Sequence, residues 1–354
     1  MGDFARLVTA RIIGTRAVVL LAGLGVAASA CDSSTVTATE ARGRIAFLAT
    51  EGNATELRVV DLPSGVCSLA VGADDVNPPH WSPDGSQIVF VGRQDGRAGL
   101  MLARTDGARW QTEWLEKRSG WHPAFSPDGR SIAFNSDREG ASKIYIMDLE
   151  TRVVRRLTDD GPAREPTWSP DGRRIAFVSG PGTGAAPQAL WVIGADGSER
   201  RKLADHAASP RWSPSGRQIA IVAAGPALAV VDAESAAVRR IAHPAGDVAW
   251  SRDGTRLAFL ASGGKPLQVM TVAVDGTELT DLTHNDRFNG HPAWSKDGNW
   301  IAFVSGGCQS PVLPCFETNH EVYVMRKDGS DAVKLTRGVP WATFPEWSPQ
   351  GSER

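Results

Sequence analysis

One short string recurs seven times along this 354-residue chain. It reads Trp81-Ser-Pro-Asp-Gly85, Phe125-Ser-Pro-Asp-Gly129, Trp168-Ser-Pro-Asp-Gly172, Trp212-Ser-Pro-Ser-Gly216, Trp250-Ser-Arg-Asp-Gly254, Trp294-Ser-Lys-Asp-Gly298 and Trp347-Ser-Pro-Gln-Gly351. Successive copies lie 44, 43, 44, 38, 44 and 53 residues apart. A period near 40–45 residues is that of a four-stranded propeller blade, and a unit of that size buries its apolar faces only by stacking on its neighbours.

The string itself reads as a tight turn. Proline presets φ at the second turn position, Asp is tolerated at the third, and Gly supplies a positive φ at the exit. The aromatic residue ends the strand entering the turn. The strand leaving it is in fixed register: Ile88-Val-Phe90, Ile132-Ala-Phe134, Ile175-Ala-Phe177, Ile219-Ala-Ile221, Leu257-Ala-Phe259 and Ile301-Ala-Phe303. Large apolar residues two apart share one face, and the small residue between them makes the other face apolar but thin. That suits a sheet covered on both sides at close approach. A third strand follows, as in Lys143–Met147, Ala189–Ile193 and Glu321–Met325. Asp-Gly hairpin signals come next at 106–107, 196–197, 275–276 and 328–329. Short fourth strands are expected to end near Leu157-Thr158, Leu282-Thr283 and Leu335-Thr336.

The two ends of the repeat array are complementary. Arg44–Phe47 is a second strand with no first, and Pro345-Glu-Trp347 is a first strand with no successors. The expected fold is therefore all-β: a seven-bladed β-propeller over residues 42–354, with four-stranded antiparallel blades and one blade shared by the N- and C-terminal strands. Such sharing would pair edges otherwise left exposed. The propeller is expected to be monomeric.

Thirty-eight basic and 40 acidic side chains leave a formal net charge of −2, with no basic stripe. Nucleic acid is not an expected partner. Residues 1–30 read as a signal peptide: Arg6, Arg11 and Arg16, then an apolar run from Ala17 to about Ala28, then Ala28-Ser29-Ala30-Cys31. Two processing outcomes compete. The Ala-x-Ala pattern suits ordinary cleavage and secretion. The following Cys31 resembles a bacterial lipobox, in which that cysteine is acylated, although Ala28 stands where such motifs usually carry Leu. Residues 31–41 are polar and would form a tether after a lipidated Cys31. The expected location is a bacterial cell envelope, anchored to the membrane by lipid and facing the periplasm or the cell surface.

The recurring Pro-x-Trp-Ser-Pro-Asp-Gly, Ile-Ala-Phe, Asp-Gly and Leu-Thr elements resemble those of the TolB-like, WD-like β-propeller family over residues 42–351. Members with an additional α/β domain place it ahead of the propeller. Only about ten residues separate Cys31 from the first strand here, so that domain is not expected. Prolyl-oligopeptidase-like enzymes carry similar repeats, but their Gly-x-Ser-x-Gly elbow is absent from this sequence. Oligogalacturonate lyases are also seven-bladed propellers of related repeats, with a metal at the channel mouth and clustered histidines. No such cluster is visible along this sequence. Fold-level resemblance alone does not assign function.

In a propeller, the first strand of each blade lines a central channel. The residue three before each repeat aromatic then falls at one mouth: Pro78, His122, Glu165, Ser209, Asp247, His291 and Phe344. Of these, His122, Glu165, Asp247 and His291 are the candidate ligand- or partner-binding residues. The resemblance implies that such a mouth receives a peptidoglycan-associated lipoprotein partner. Imidazole and carboxylate together could also hold a divalent cation. The competing structural reading makes them idle loop residues, since a residue before proline is pushed to extended conformation. His80, His206, His243, His284 and His320 have no evident place on this rim.

Cys308 and Cys315 lie in an insertion at 306–320 and are a candidate disulfide, in keeping with an oxidising compartment. Cys67 falls on a fourth strand as a free thiol. Trp110, Trp114 and Trp121 are expected to fill space between blades. No catalytic constellation and no resident cofactor emerge. The expected function is a non-enzymatic envelope scaffold that binds a protein or peptidoglycan-associated partner. The alternatives are a metal-dependent carbohydrate-active enzyme and a small-ligand-binding propeller.

Overall fold

The computed structural model describes residues 40–349 apart from 53, 66, 74–76, 95–96, 108, 181–187, 226, 243–245, 262–265, 308–318, 338 and 340. Among the described residues every regular element is a β-strand. The signal segment 1–30, Cys31 with its tether up to residue 39, and the Cys308–Cys315 pair lie outside the described residues.

Five four-stranded antiparallel sheets follow the repeat. In each, the inner strand ends on the repeat aromatic: His80–Trp81, Trp121–Phe125, Ala163–Trp168, Ala207–Trp212 and Gly246–Trp250. A sixth sheet has eight strands. Half of it is Arg287–Trp294, Trp300–Gly307, His320–Arg326 and Val333–Lys334. The other half is Trp341–Trp347, Gly43–Glu51, Ala54–Leu62 and Cys67–Gly72, and the halves join through a single parallel pairing, His320 with Trp341. Within the second half, the strand near the N-terminus pairs antiparallel with the last one, Ile45 opposite Trp347 and Leu48 opposite Thr343. Cys67 opens an outermost strand, as its position in the repeat suggests.

The core lies between sheets. Ile88 and Phe90 pack with Ala46 and Leu48 of one neighbour, while Val89 and Val91 pack with Phe134 and Tyr145 of the next. The period-2 alternation of one strand therefore feeds two separate cores. Small residues keep the sheets close: Ala133, Ala176, Ala220, Ala258 and Ala302 are all fully buried. Trp110 and Trp114 join the first of these clusters and Trp121 the second. Trp110 also donates to Ser68 Oγ at 3.1 Å and lies under the Arg44 guanidinium.

The hydrogen bonds within the repeat string account for its recurrence. In five copies the Ser hydroxyl donates to the Asp carboxylate two residues on, for example Ser169 to Asp171 at 2.5 Å. The same hydroxyl accepts the N–H five residues on, as from Arg174 at 2.9 Å. The Asp also accepts the next-but-one N–H, closing an Asx turn. Gly172 exits at φ +71°, against Pro127 of the preceding turn. The indole N–H of the aromatic position crosses to the preceding sheet: Trp81 to Glu346 O, Trp168 to Ala124 O, Trp212 to Thr167 O and Trp250 to Arg211 O, at 2.9–3.2 Å. These bonds tie four of the inner strands to the one before.

Candidate functional site

The inner strands run side by side, and Trp341–Trp347 touches both Arg287–Trp294 and His80–Trp81. Their entry ends surround one cavity of about 470 Å³. All seven sequence-predicted rim residues line it. The other described histidines separate. His80 is in the cavity, His206 and His284 are not, and His320 is buried between Phe288 and Trp341; His243 is outside the described residues.

The backbone at the rim overturns one expectation. His122, Glu165, Ser209, Asp247, His291 and Phe344 have φ values of +50°, +53°, +50°, +28°, +50° and +51°. Five of these precede proline, which should favour extended backbone; all six instead occupy left-handed conformations that L-residues rarely adopt. The cause is a break in strand pairing. Register shifts fall between Trp121 and Ala124, Arg164 and Thr167, Ala208 and Arg211, Gly246 and Val248, and Gly290 and Ala293. Each of these inner strands bulges at the rim, and a bulge re-aims a side chain.

Several of the bulged residues are linked to a neighbour. Asn77 Oδ1 accepts the His122 N–H at 3.0 Å, and Glu165 Oε2 accepts the Ser209 N–H at 2.8 Å. Asp247 Oδ2 lies 2.7 Å from His291 Nδ1 and also accepts the His291 backbone N–H. His291 in turn lies tilted against Phe344, with ring centroids 4.3 Å apart. His122 Nδ1 meets Asn135 Oδ1 at 3.0 Å. Burial lowers the His122 pKa despite the opposing charge of Glu165. For Asp247, burial pushes upward, but the hydrogen bond and charge of His291, with Arg211, prevail and hold its carboxyl below the ordinary value.

Three further titratable residues of the cavity escape a count of three back from the aromatic. One residue before it stand His80, Arg211 and Glu346, lining the same cavity. The other copies carry Ala124, Thr167, Ala249 and Ala293 there. The signal was available, because residues two apart on a strand share a face. Burial pushes His80 down to about 4, helped by the charge of Arg211. Burial pushes Glu346 up to about 8, against the Trp81 N–H and Arg211. Glu346 Oε2 is buried without a hydrogen-bond partner. Among the described residues no three His, Cys, Asp or Glu side chains are grouped so as to hold a metal ion.

Antiparallel sheets arranged about a polar central cavity define a β-propeller protein with a built channel mouth. The chain belongs to the TolB β-propeller family: that family's model matches residues 35–223, more than half of the chain. It is similar to the Tol-Pal system protein TolB of Gluconobacter oxydans, 29 % identical over 125 residues, which cover 34 % of this chain and 28 % of the relative. It is also similar to an uncharacterized peptidase, YuxL, of Bacillus subtilis, 38 % identical over 24 % of this chain and 14 % of the relative. The chain thus matches under a third of these curated relatives' length. Among solved structures, TolB from Acinetobacter baumannii superposes with TM-score 0.54 at 21 % identity, over 87 % of this chain and 67 % of that one. Oligogalacturonate lyase from Vibrio parahaemolyticus gives 0.61 at 15 % identity, over 87 % and 93 %. A puromycin hydrolase gives 0.65 at 15 % identity, over 87 % and 56 %. These likenesses concern the fold.

Proposed function

We propose that this protein is a non-enzymatic binding scaffold of the bacterial cell envelope, whose channel mouth receives a segment of a protein or peptidoglycan-associated partner. The observation that carries the reading is the set of six non-glycine residues held at positive φ around one cavity. Left-handed L-residues each cost about 1–3 kcal/mol and persist where the surroundings over-determine them, typically at binding sites. Six together, several of them bonded or packed to the next, describe a mouth preorganised for a ligand. The similarity to a Tol-Pal system protein supports an envelope partner. The signal-like N-terminus supports export, with Cys31 as the lipid anchor and Cys308–Cys315 as a disulfide.

The same reading includes a seven-bladed ring with one blade shared between the two termini. The antiparallel pairing of Gly43–Glu51 with Trp341–Trp347 supports it, as do the seven repeats. The metal-dependent lyase reading has no comparable support, because among the described residues the rim acids and imidazoles are bonded to each other, to backbone or, for His122, to Asn135 rather than gathered about a point.

The test is crosslinking and co-purification of the tagged protein from the membrane fraction, beside a Glu165→Ala/His291→Ala variant that still folds. The expected result is one envelope partner, lost in the variant and unaffected by chelator. A partner retained equally by the variant would remove the mouth from the function, and loss on chelation would favour the metal reading.

A further inference from the structure

The charges in the cavity are not all satisfied. Six titratable groups face Glu346 of the last inner strand: His80, His122, Glu165, Arg211, Asp247 and His291, one from each of the other inner strands. The acids among them are engaged, Glu165 with the Ser209 N–H and Asp247 with His291. Arg211 is not. Its guanidinium donates to its neighbour's carbonyl, Pro210 O, at 3.0 Å, and among the described residues it forms no ion pair. Of the facing charges, only that of Arg211 acts appreciably on Glu346.

A guanidinium offers five donors in a planar fork that matches a carboxylate. Lining the cavity without a direct ion pair, it favours an anion. Glu346, kept protonated by its burial up to about pH 8 although the Trp81 backbone N–H favours the ionised form, adds an O–H donor at Oε2, which has no hydrogen-bond partner. A phosphate dianion fits poorly, since Arg211 is the one cationic side chain lining the cavity apart from imidazoles, and Glu165 and Asp247 stand nearby. Pro79, Pro123, Pro166, Pro292 and Pro345 supply rigid apolar surface along the cavity. A volume of about 470 Å³ accommodates a few residues of peptide.

We propose that the channel binds a peptide segment through a carboxylate group, seated on the Arg211 guanidinium and hydrogen-bonded by the Glu346 carboxyl. This deepens the scaffold reading and rests on it, naming the chemical handle by which the partner enters the mouth. The carboxylate belongs either to the free C-terminus of the peptide or to an acidic side group within it.

Three probes separate these sources by calorimetric titration at pH 6.5: acetyl-Ala-Ala-Ala with a free C-terminus, its C-terminal amide, and acetyl-Ala-Glu-Ala amide. One or both acids are expected to bind and the plain amide not, the tighter acid identifying the source. Arg211→Gln is expected to weaken acid binding at least about tenfold, the loss of one charge-assisted contact. Arg211→Lys, which keeps the charge and the bulk, is expected to fall between. From pH 7 to 9 the wild-type affinity is expected to drop about tenfold as Glu346 ionises beside Arg211, and in Glu346→Gln that drop disappears. Equal binding of the plain amide, binding by none of the three, or unaltered binding by both Arg211 variants would overturn the proposal. If the envelope partner is still captured in that case, the scaffold reading survives and only the carboxylate handle fails.

Discussion

Glu346 couples the stability of the whole fold to pH, and His80 beside it works in the opposite sense. In the folded protein Glu346 titrates at about 8, against 4.5 for an open peptide. Between those values the folded state holds a proton that the unfolded state has released, so stability falls as pH rises. His80 titrates at about 4 when folded, against 6.5 for an open peptide. Between those values the unfolded state holds the extra proton, so stability rises with pH. The two slopes oppose each other from about pH 4.5 to 6.5, and above 6.5 only the Glu346 slope remains. Over the interval from 6.5 to 8, at about 1.4 kcal/mol per pH unit, the wild type should lose at most about 2 kcal/mol. Glu346→Gln removes the ionisation while keeping the shape. Urea unfolding followed by tryptophan fluorescence at pH 6.5 and 8.5, for both proteins, isolates the effect, since every other titration is common to the two. The variant is expected to gain about 2 kcal/mol relative to wild type at the higher pH. Below pH 6.5 it should show the rising His80 slope that the wild type masks. Parallel pH dependence in the two proteins would refute the reasoning, because it would mean that Glu346 is already ionised in the folded channel.

Other expectations follow from the inner strands. Trp168→Phe removes the bond to Ala124 O and should cost about 1 kcal/mol. Trp294→Phe removes a buried N–H that has no partner and should be neutral or stabilising in the same thermal melt; equal losses would deny the cross-sheet bond its role. Ser209→Gly relieves a left-handed L-residue at φ +50° and should raise stability by up to about 1 kcal/mol. A drop there would show that the rim is not strained. Ending the protein at residue 339 removes the strand paired with Gly43–Glu51 and should abolish cooperative unfolding by calorimetry; an unchanged transition would count against a ring joined through the two termini.

Much of the site was legible because repetition aligns positions. Counting back three residues from each aromatic placed His122, Glu165, Asp247 and His291 at one cavity, since equivalent positions of stacked units fall at the same end of the stack. The same counting, carried two residues further along the strand, would have reached His80, Arg211 and Glu346. What could not be read was the backbone state of the rim. Proline after the rim residue argues locally for extended backbone, and the structure has the opposite at five positions. The bulge arises because each inner strand must pair with its second strand and still turn toward the channel, a demand set by neighbours rather than by the dipeptide.

The sequence by itself determined the unit, its turn and its two-faced second strand, because proline, glycine and alternating apolar residues act over a few bonds. It also determined which chemical groups reach the mouth. Only the tertiary structure decided what those groups are. Burial keeps Glu346 protonated and His80 neutral, a neighbouring strand binds Asp247 to His291, and Arg211 is left lining the cavity without a direct ion pair among the described residues. Desolvation and charge pairing depend on which strands surround a side group, and residues more than a hundred positions apart become neighbours only when the inner strands gather about the cavity.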